Sequence, residues 1–254
     1  MQGGLIMILI SVIIPFYKEI DLIDRAVKSV LAQKILDKGI NIEIIIGNDG
    51  ALSHSEIKSA IQMDPKIDLR IVDNNGPRGP GGARNAALSE SKGVYCAFLD
   101  ADDVWLEGKL AAQIALAKEG ANFIATAYVM DDSKRIIKPP TSSNGQLDVF
   151  RSLGILTSSV MVLTSLVKER MFRDLRFSQD IDLWHRITNA REFCFASLNE
   201  PFVMYSKEGS TKNKFTQARS LWKVMTINNI SLSRKLYCLV SYAYRGIKIH
   251  FLRI

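Results

Sequence analysis

Asp100, Asp102 and Asp103 follow the apolar run Val94–Leu99 in the pattern Asp-Ala-Asp-Asp. Hard divalent cations such as Mg²⁺ or Mn²⁺ take carboxylate oxygens and keep positions open for substrate phosphates. Two or three carboxylates at one strand end can hold such an ion against a diphosphate, where it neutralises charge on the leaving group. An Asp-rich turn can also be merely solvated, so the metal reading rests on its company. Asn48-Asp49-Gly50 closes another apolar run. An Asp there can accept a hydrogen bond from the N–H of a uracil-like base, or simply end the strand in a turn. Gly79-Pro80-Gly81-Gly82-Ala83-Arg84-Asn85 puts an Arg fork behind flexible backbone, suited to phosphate or ribose oxygens. It is neither a dinucleotide fingerprint nor a P-loop, because Arg84 stands where the third fingerprint Gly belongs and no Lys-Ser/Thr pair follows the glycines. That argues against hydride transfer and against an NTPase. The second acidic cluster is Gln179-Asp180-Ile181-Asp182-Leu183-Trp184. A carboxylate at a helix start can act as a general base toward an attacking hydroxyl, and Asp180 is the candidate. Asp182 reads as charge compensation at a helix N-terminus.

These clusters need elements that bring them together. Ile8–Ile14 is a β-branched run expected of a strand buried on both faces. Asp21 can cap a helix carrying Leu22, Ile23, Ala26, Val27, Val30 and Leu31 on one face. Further strands are expected at Ile42–Ile46, Leu69–Val72 and Val94–Leu99, with helices at Ser55–Met63 and Ala83–Ser91. This alternation predicts a parallel sheet with helices on both faces. Ligands of such sheets sit outside the carboxyl ends of the strands, where Pro15-Phe16-Tyr17, Asn48-Asp49-Gly50 and Asp100–Asp103 all fall. Beyond, Ala121–Ile137 has strand character with a turn at Asp131-Asp132-Ser133. Leu147–Leu153 looks helical, and an acidic helix start lies within Phe177–Ile187.

Taken in order, Ile13-Ile14-Pro15-Phe16-Tyr17, Asn48-Asp49-Gly50, Ala83-Arg84-Asn85-x-Ala87-Leu88 and Phe98-Leu99-Asp100-Ala101-Asp102-Asp103 resemble glycosyltransferase family 2. Thr157–Met161 followed by Gln179–Trp184 resembles the acceptor-side half of that family, so the likeness runs from about residue 10 to residue 211. The resemblance implies a GT-A, Rossmann-like α/β fold with a mostly parallel central sheet, and an inverting transfer from a nucleoside-diphosphate sugar, a UDP-sugar by preference. It implies that Pro15 and Tyr17, with Phe16 between them and Glu19 nearby, line the nucleotide cleft. Asp49 would contact the base and Arg84 the ribose or phosphate. Asp100 would bind ribose, Asp102 with Asp103 would hold Mn²⁺ or Mg²⁺, and Asp180 would be the base. Three positions depart from the pattern. Gln179 replaces a common Glu. His185 replaces an apolar residue and reads as structural. Lys207-Glu208-Gly209-Ser210 stands where many relatives carry a His before Gly-Ser, so Lys207 would pair with the diphosphate rather than ligate the metal.

The totals set the frame. With 254 residues, 47% of them hydrophobic, the chain can build a sizeable core. Cys96, Cys194 and Cys238 lie far apart and read as reduced thiols, in keeping with a cytoplasmic protein. The apolar start Leu5–Ile14 has no basic flank and runs into Pro15, so a first strand is expected rather than a signal peptide. The net charge of +7 is uneven: nine Lys or Arg and no acid follow Glu208, while the remaining 24 bases meet 26 acids. The expected division is a catalytic domain over 8–211 and a basic, amphipathic helical extension over 212–254. Tyr237, Val240, Tyr244, Ile247 and Phe251 would form the extension's apolar face, with Arg245, Lys248 and Arg253 among its bases. Such a helix suits an anionic membrane surface and a lipid-linked saccharide acceptor, or else packs on its own body or a second subunit. No nucleic-acid reading module is present. Two rivals remain at this level, a sugar nucleotidyltransferase and a non-catalytic sugar-nucleotide-binding module. The first is opposed by Pro15–Glu19, where a Gly-rich basic loop would be expected, and the second by an intact Asp180.

Overall fold

In the computed structural model, residues 8–33, 39–50, 52–61, 68–142, 144–150, 154–206 and 214–251 are described. The β-branched run near the start becomes β1 (Ile8–Phe16), central to its half of the sheet. It lies parallel to β2 (Ile40–Asn48), paired from Ile8 with Ile40 through Phe16 with Asn48. It also pairs in parallel with β4 (Tyr95–Phe98), Ile13 opposite Phe98, while β2 pairs in parallel with β3 (Asp68–Asp73). This register places residues 16–17, 48–50 and 99–102 at one edge. The sheet continues through β8 (Val160–Leu163), β6 (Phe123–Met130), β9 (Phe195–Tyr205) and β5 (Val104–Trp105), with β7 (Ile136–Ile137) on β6. Six of the nine strands described, β1–β4, β6 and β9, run the same way.

Period-2 alternation splits the core between two faces. Ile10, Val12 and Ile14 pack with Ile44 and Ile46 under α1 (Ile20–Leu31), α2 (His54–Ala60) and α4 (Lys109–Lys118). Ile13 and Ile45 face the other way, under α3 (Pro80–Glu90), α5 (Thr164–Lys168) and α6 (Gln179–Thr188). Each such isoleucine contributes about 1.5–3 kcal/mol by leaving water. Trp184 of α6 is buried in an aromatic cluster, edge-on to Phe98 at 5.6 Å and Phe123 at 5.0 Å.

Some local expectations shift. The N-cap of α1 is Glu19, not Asp21, which lies in the first turn. Helix α3 starts at Pro80 because proline's fixed φ suits the first helical position, so Arg84 sits a turn inside rather than at the start. α2 ends at Ala60, short of the expected Met63, which lies outside the described residues. Residues 147–150 form no helix, and 151–153 lie outside the described residues.

The basic extension forms α7 (Lys214–Ile227) and α8 (Leu232–Phe251). α7 is packed into the body: Leu221, Val224 and Met225 are buried with Phe150, Leu175 and Cys238 of α8. The side chains of Tyr244, Arg245, Ile247, Lys248 and Phe251 lie outside those described, as does Arg253. All three cysteines are free thiols. Among the described residues no helix is long and apolar enough to cross a membrane.

Candidate active site

At the carboxyl edge of β1 and β2 the structure opens a cleft of about 970 Å³. One wall is Pro15, Phe16, Tyr17 and Glu19 after β1, with Asp49 and Gly50 after β2. The glycine- and proline-rich loop contributes Arg78, Gly79 and Pro80, and the opposite wall is Asp174, Arg176, Phe177 and Gln179. Glycine makes two approaches possible. A Cβ on Gly47 would lie 1.9 Å from the carbonyl oxygen of Ala83, so only glycine lets α3 press this closely on β2. Gly79 has φ 112°, which other residues rarely adopt, and its N–H donates to Asp49 Oδ2 at 2.9 Å. Asn74 Nδ2 donates to Asp49 Oδ1 at 2.6 Å. The Asp49 carboxylate is thereby oriented with lone pairs to spare. Glu19 is oriented by the N–H groups of Tyr17 and Lys18, each at 2.9 Å.

Deeper in, Asp100 ends the β4 run and is ion-paired with Arg84. Arg84 is buried and lies 5.4 Å over the Phe172 ring; like Asp100, Asp102 and Asp180, it is not among the residues lining the cleft but sits beside it. It steadies Asp100, whose own N–H donates to Ser158 Oγ at 3.0 Å. Burial lifts the Asp102 carboxyl to about 6, with the charges of Asp100 and Glu19 adding to the rise and Arg25 opposing it. Arg25 Nη2 donates to the Asp102 carbonyl oxygen at 2.9 Å. Burial also raises Asp180, the Arg84 charge countering and the Asp100 charge reinforcing the shift. Thr157 Oγ1 stands 3.4 Å from Asp180 Oδ2. Five of the sequence-predicted residues, Glu19, Arg84, Asp100, Asp102 and Asp180, therefore feel one another's charge.

Asp103 has a different environment. It is 1% exposed, and its two oxygens accept from Ser158 Oγ at 2.5 Å and from the Ser206 N–H at 2.9 Å. Burial and the Asp100 charge push its carboxyl well above the usual range. It ties the β4 end to the 158 and 206 segments, and both its oxygens are engaged there. Asp182 lies in the first turn of α6, where its charge was expected at the helix N-terminus. Its carboxylate is also fully buried and meets Arg186 Nε at 2.9 Å, Arg173 at 3.1 Å and Asn228 Nδ2 at 2.8 Å, so it ties α6 to the end of α7 as well. His185 stacks on Phe150 at 4.6 Å, a packing role. Lys207 lies outside the described residues. Among the described residues no group of three or more His, Cys, Asp or Glu could cage a metal ion. A Mg²⁺- or Mn²⁺-type ion held by one or two carboxylates and substrate phosphates needs no such cage. Asp102, at the β4 end beside Asp100, is a carboxylate of that kind. Sequence reasoning missed Arg78, Asp174, Arg176 and Phe177. Arg78 directly precedes the Gly79–Asn85 motif, but residues 174–177 belong to no motif and reach the cleft only through folding.

Comparison with known proteins agrees with this geometry. The sequence profile described as Glycosyl transferase family 2 matches residues 11–177. The Escherichia coli UDP-Glc:alpha-D-GlcNAc-diphosphoundecaprenol beta-1,3-glucosyltransferase WfgD is 26% identical over 251 residues, 95% of each chain. Staphylococcus aureus TarS 1-349 in complex with UDP-GlcNAc superposes with a TM-score of 0.70 at 16% identity, over 94% of this chain and 72% of that one. The Pyrobaculum calidifontis mannosyltransferase PcManGT, in complex with GDP-Man and Mn²⁺, gives 0.61 at 17% identity, over 92% and 69%. These two structures share the fold. With a profile match over most of its length, on a GT-A sheet with Asp100–Asp102 just beyond the end of β4, the chain belongs to glycosyl transferase family 2 and is a glycosyltransferase.

Proposed function

We propose that this enzyme transfers a sugar, with inversion, from a UDP-sugar to a saccharide carried on a lipid diphosphate, in the assembly of a cell-surface polysaccharide. The observation that carries the reading is the meeting of the β4 end with the start of α6 at two adjacent residues: Ser158 Oγ accepts from the Asp100 N–H at 3.0 Å and Thr157 Oγ1 stands 3.4 Å from Asp180 Oδ2. The near-full-length likeness to a glucosyltransferase named for UDP-Glc and a diphosphoundecaprenol acceptor supports the donor and acceptor classes.

In this reading the uracil N–H donates to Asp49, which Gly79 and Asn74 hold in place. Asp100, steadied by Arg84, accepts from the ribose hydroxyls. Asp102 would hold a divalent cation, which when bound neutralises charge on the departing diphosphate. Lys207 is assigned to the same diphosphate. Asp180 takes the proton of the acceptor hydroxyl as that oxygen attacks the anomeric carbon and the bond to UDP breaks from the opposite face. A carboxyl raised by burial is a stronger base than one in water. On α8, Leu232, Leu236 and Val240 recur every four residues and are 63%, 52% and 69% exposed. With the surrounding basic residues they would rest on the anionic inner face of the cytoplasmic membrane, where a lipid-linked acceptor is found.

The test is release of UDP from a panel of UDP-sugars with a diphospholipid-linked saccharide acceptor, with Mn²⁺ or Mg²⁺ and after chelation. Cation-dependent release that requires the acceptor is the expected result. A folded protein that binds no nucleotide sugar sinks the proposal.

A further inference from the structure

Beside the cleft runs a second groove of about 590 Å³, between residues 175–177 and α7. Its chemistry is of two kinds. Leu175, Phe177, Trp222, Val224 and Ile227 supply apolar surface, and Arg176, Arg219 and Lys223 supply positive charge. No carboxylate lines it, and among the described residues none of the three cations forms an ion pair. Arg219, Lys223 and Ile227 follow at four-residue steps, so they occupy successive turns of one face of α7, about 5–6 Å apart. The wall is fixed to the body, since Ser220 Oγ donates to the Phe177 carbonyl at 3.0 Å and Leu221, Val224 and Met225 are buried behind it. Arg176 and Phe177 line both the groove and the donor cleft, so the two lie side by side.

Two cations free of ion pairs beside an apolar trough, next to a sugar-transfer cleft, are complementary to a diphosphate joined to a hydrocarbon chain. We propose that this groove seats the lipid diphosphate of the acceptor. Arg219 and Lys223 hold the phosphates, Trp222 and Ile227 lie along the first part of the hydrocarbon, and the attached saccharide passes Arg176 and Phe177 toward Asp180. The inference rests on the reading of the acceptor as lipid-linked. It adds that α7, beyond the residues matched to the family, builds the acceptor site.

Trp105 and Trp184 are buried, so Trp222 is the indole that a ligand in the groove touches, and its fluorescence can report binding. The probe is geranylgeranyl diphosphate, compared with geranylgeraniol and with inorganic diphosphate. Wild-type protein is expected to bind the diphosphate lipid more tightly than either half. The exposed pair Arg219→Ala/Lys223→Ala should weaken it about tenfold, roughly 1.4 kcal/mol. The same variant should leave UDP binding unchanged, and Lys223→Arg should retain affinity. Equal affinity in variant and wild type overturns the assignment. So does equal binding of the alcohol, which would leave only an apolar patch. A matching loss of binding to phosphatidylglycerol vesicles free of diphosphate lipid also overturns it, by making the pair a general membrane contact. Retained cation-dependent UDP release alongside any of these outcomes removes the groove alone, whereas loss of UDP-sugar binding in the wild type removes the function itself.

Discussion

Replacing Asp180 by Asn removes the proposed base while changing little else. The two side chains are nearly the same size, and the one hydroxyl close to the carboxylate, Thr157 Oγ1, is 3.4 Å away, a weak contact. Burial raises the Asp180 carboxyl, so ionising it in the folded state costs stability. For a group whose folded pKa is raised, stability is lost as pH rises through that value. A neutral amide relieves this cost, and the variant should be at least as stable as the wild type at neutral pH. UDP binding should persist, because the amide also removes a negative charge near Asp100. Loss of a positioned general base lowers kcat by about 10²–10⁴-fold. In the wild type kcat/KM should fall on the acid side above the ordinary aspartate value of about 3.9, and this limb should vanish in the variant. The assay is steady-state UDP release across pH 4.5–8, paired with calorimetric binding of UDP. An Asn variant that keeps more than about a tenth of wild-type kcat would refute the base assignment, since no base-catalysed path predicts so small a loss.

Asp102→Asn should abolish stimulation by Mn²⁺ or Mg²⁺ with Tm at least that of the wild type, whereas Asp103→Asn should lower Tm because its oxygens tie Ser158 and Ser206 together; chelator titration and thermal scans separate the two. Asp182→Ala strands Arg186 and Asn228 at the α6–α7 contact and should cost about 3–5 kcal/mol, a drop in Tm on the order of 10 °C measured calorimetrically. Burial pushes the Glu43 carboxyl up, but hydrogen bonds from Ser11 Oγ and the Lys92 N–H, together with Arg70, outweigh it and hold it below its usual value. Its contribution is therefore present above the unfolded value and lost as pH falls through the folded one. Denaturant titrations from pH 7 down to 3 should show a decline in stability that Glu43→Gln flattens.

What the chain's own sequence determined is the half of the site that local chemistry can write. Ile8–Ile14, Ile42–Ile46 and Val94–Leu99 are strands because β-branched and apolar runs suit a sheet buried on both faces. Strand ends meet at one edge in any such parallel sheet, so Pro15–Tyr17, Asn48–Gly50 and Asp100–Asp102 were legible as one site. The pairings of Asp103, Arg84 and Asp182 were not. Asp103 is paired with Ser158 and Ser206, 55 and 103 residues away, and no local pattern distinguishes a carboxylate that faces solvent from one that ties distant segments. Asp182 was legible as a helix-end charge, but its bond to Asn228 was not, since the end of α7 brings that residue against it. The wall from Asp174 to Phe177 and the groove along α7 carry no motif, because a concave surface is made by segments meeting in space. Strand type and edge follow from near neighbours in the chain, whereas burial, pairing and the groove along α7 are decided by packing between elements far apart in it.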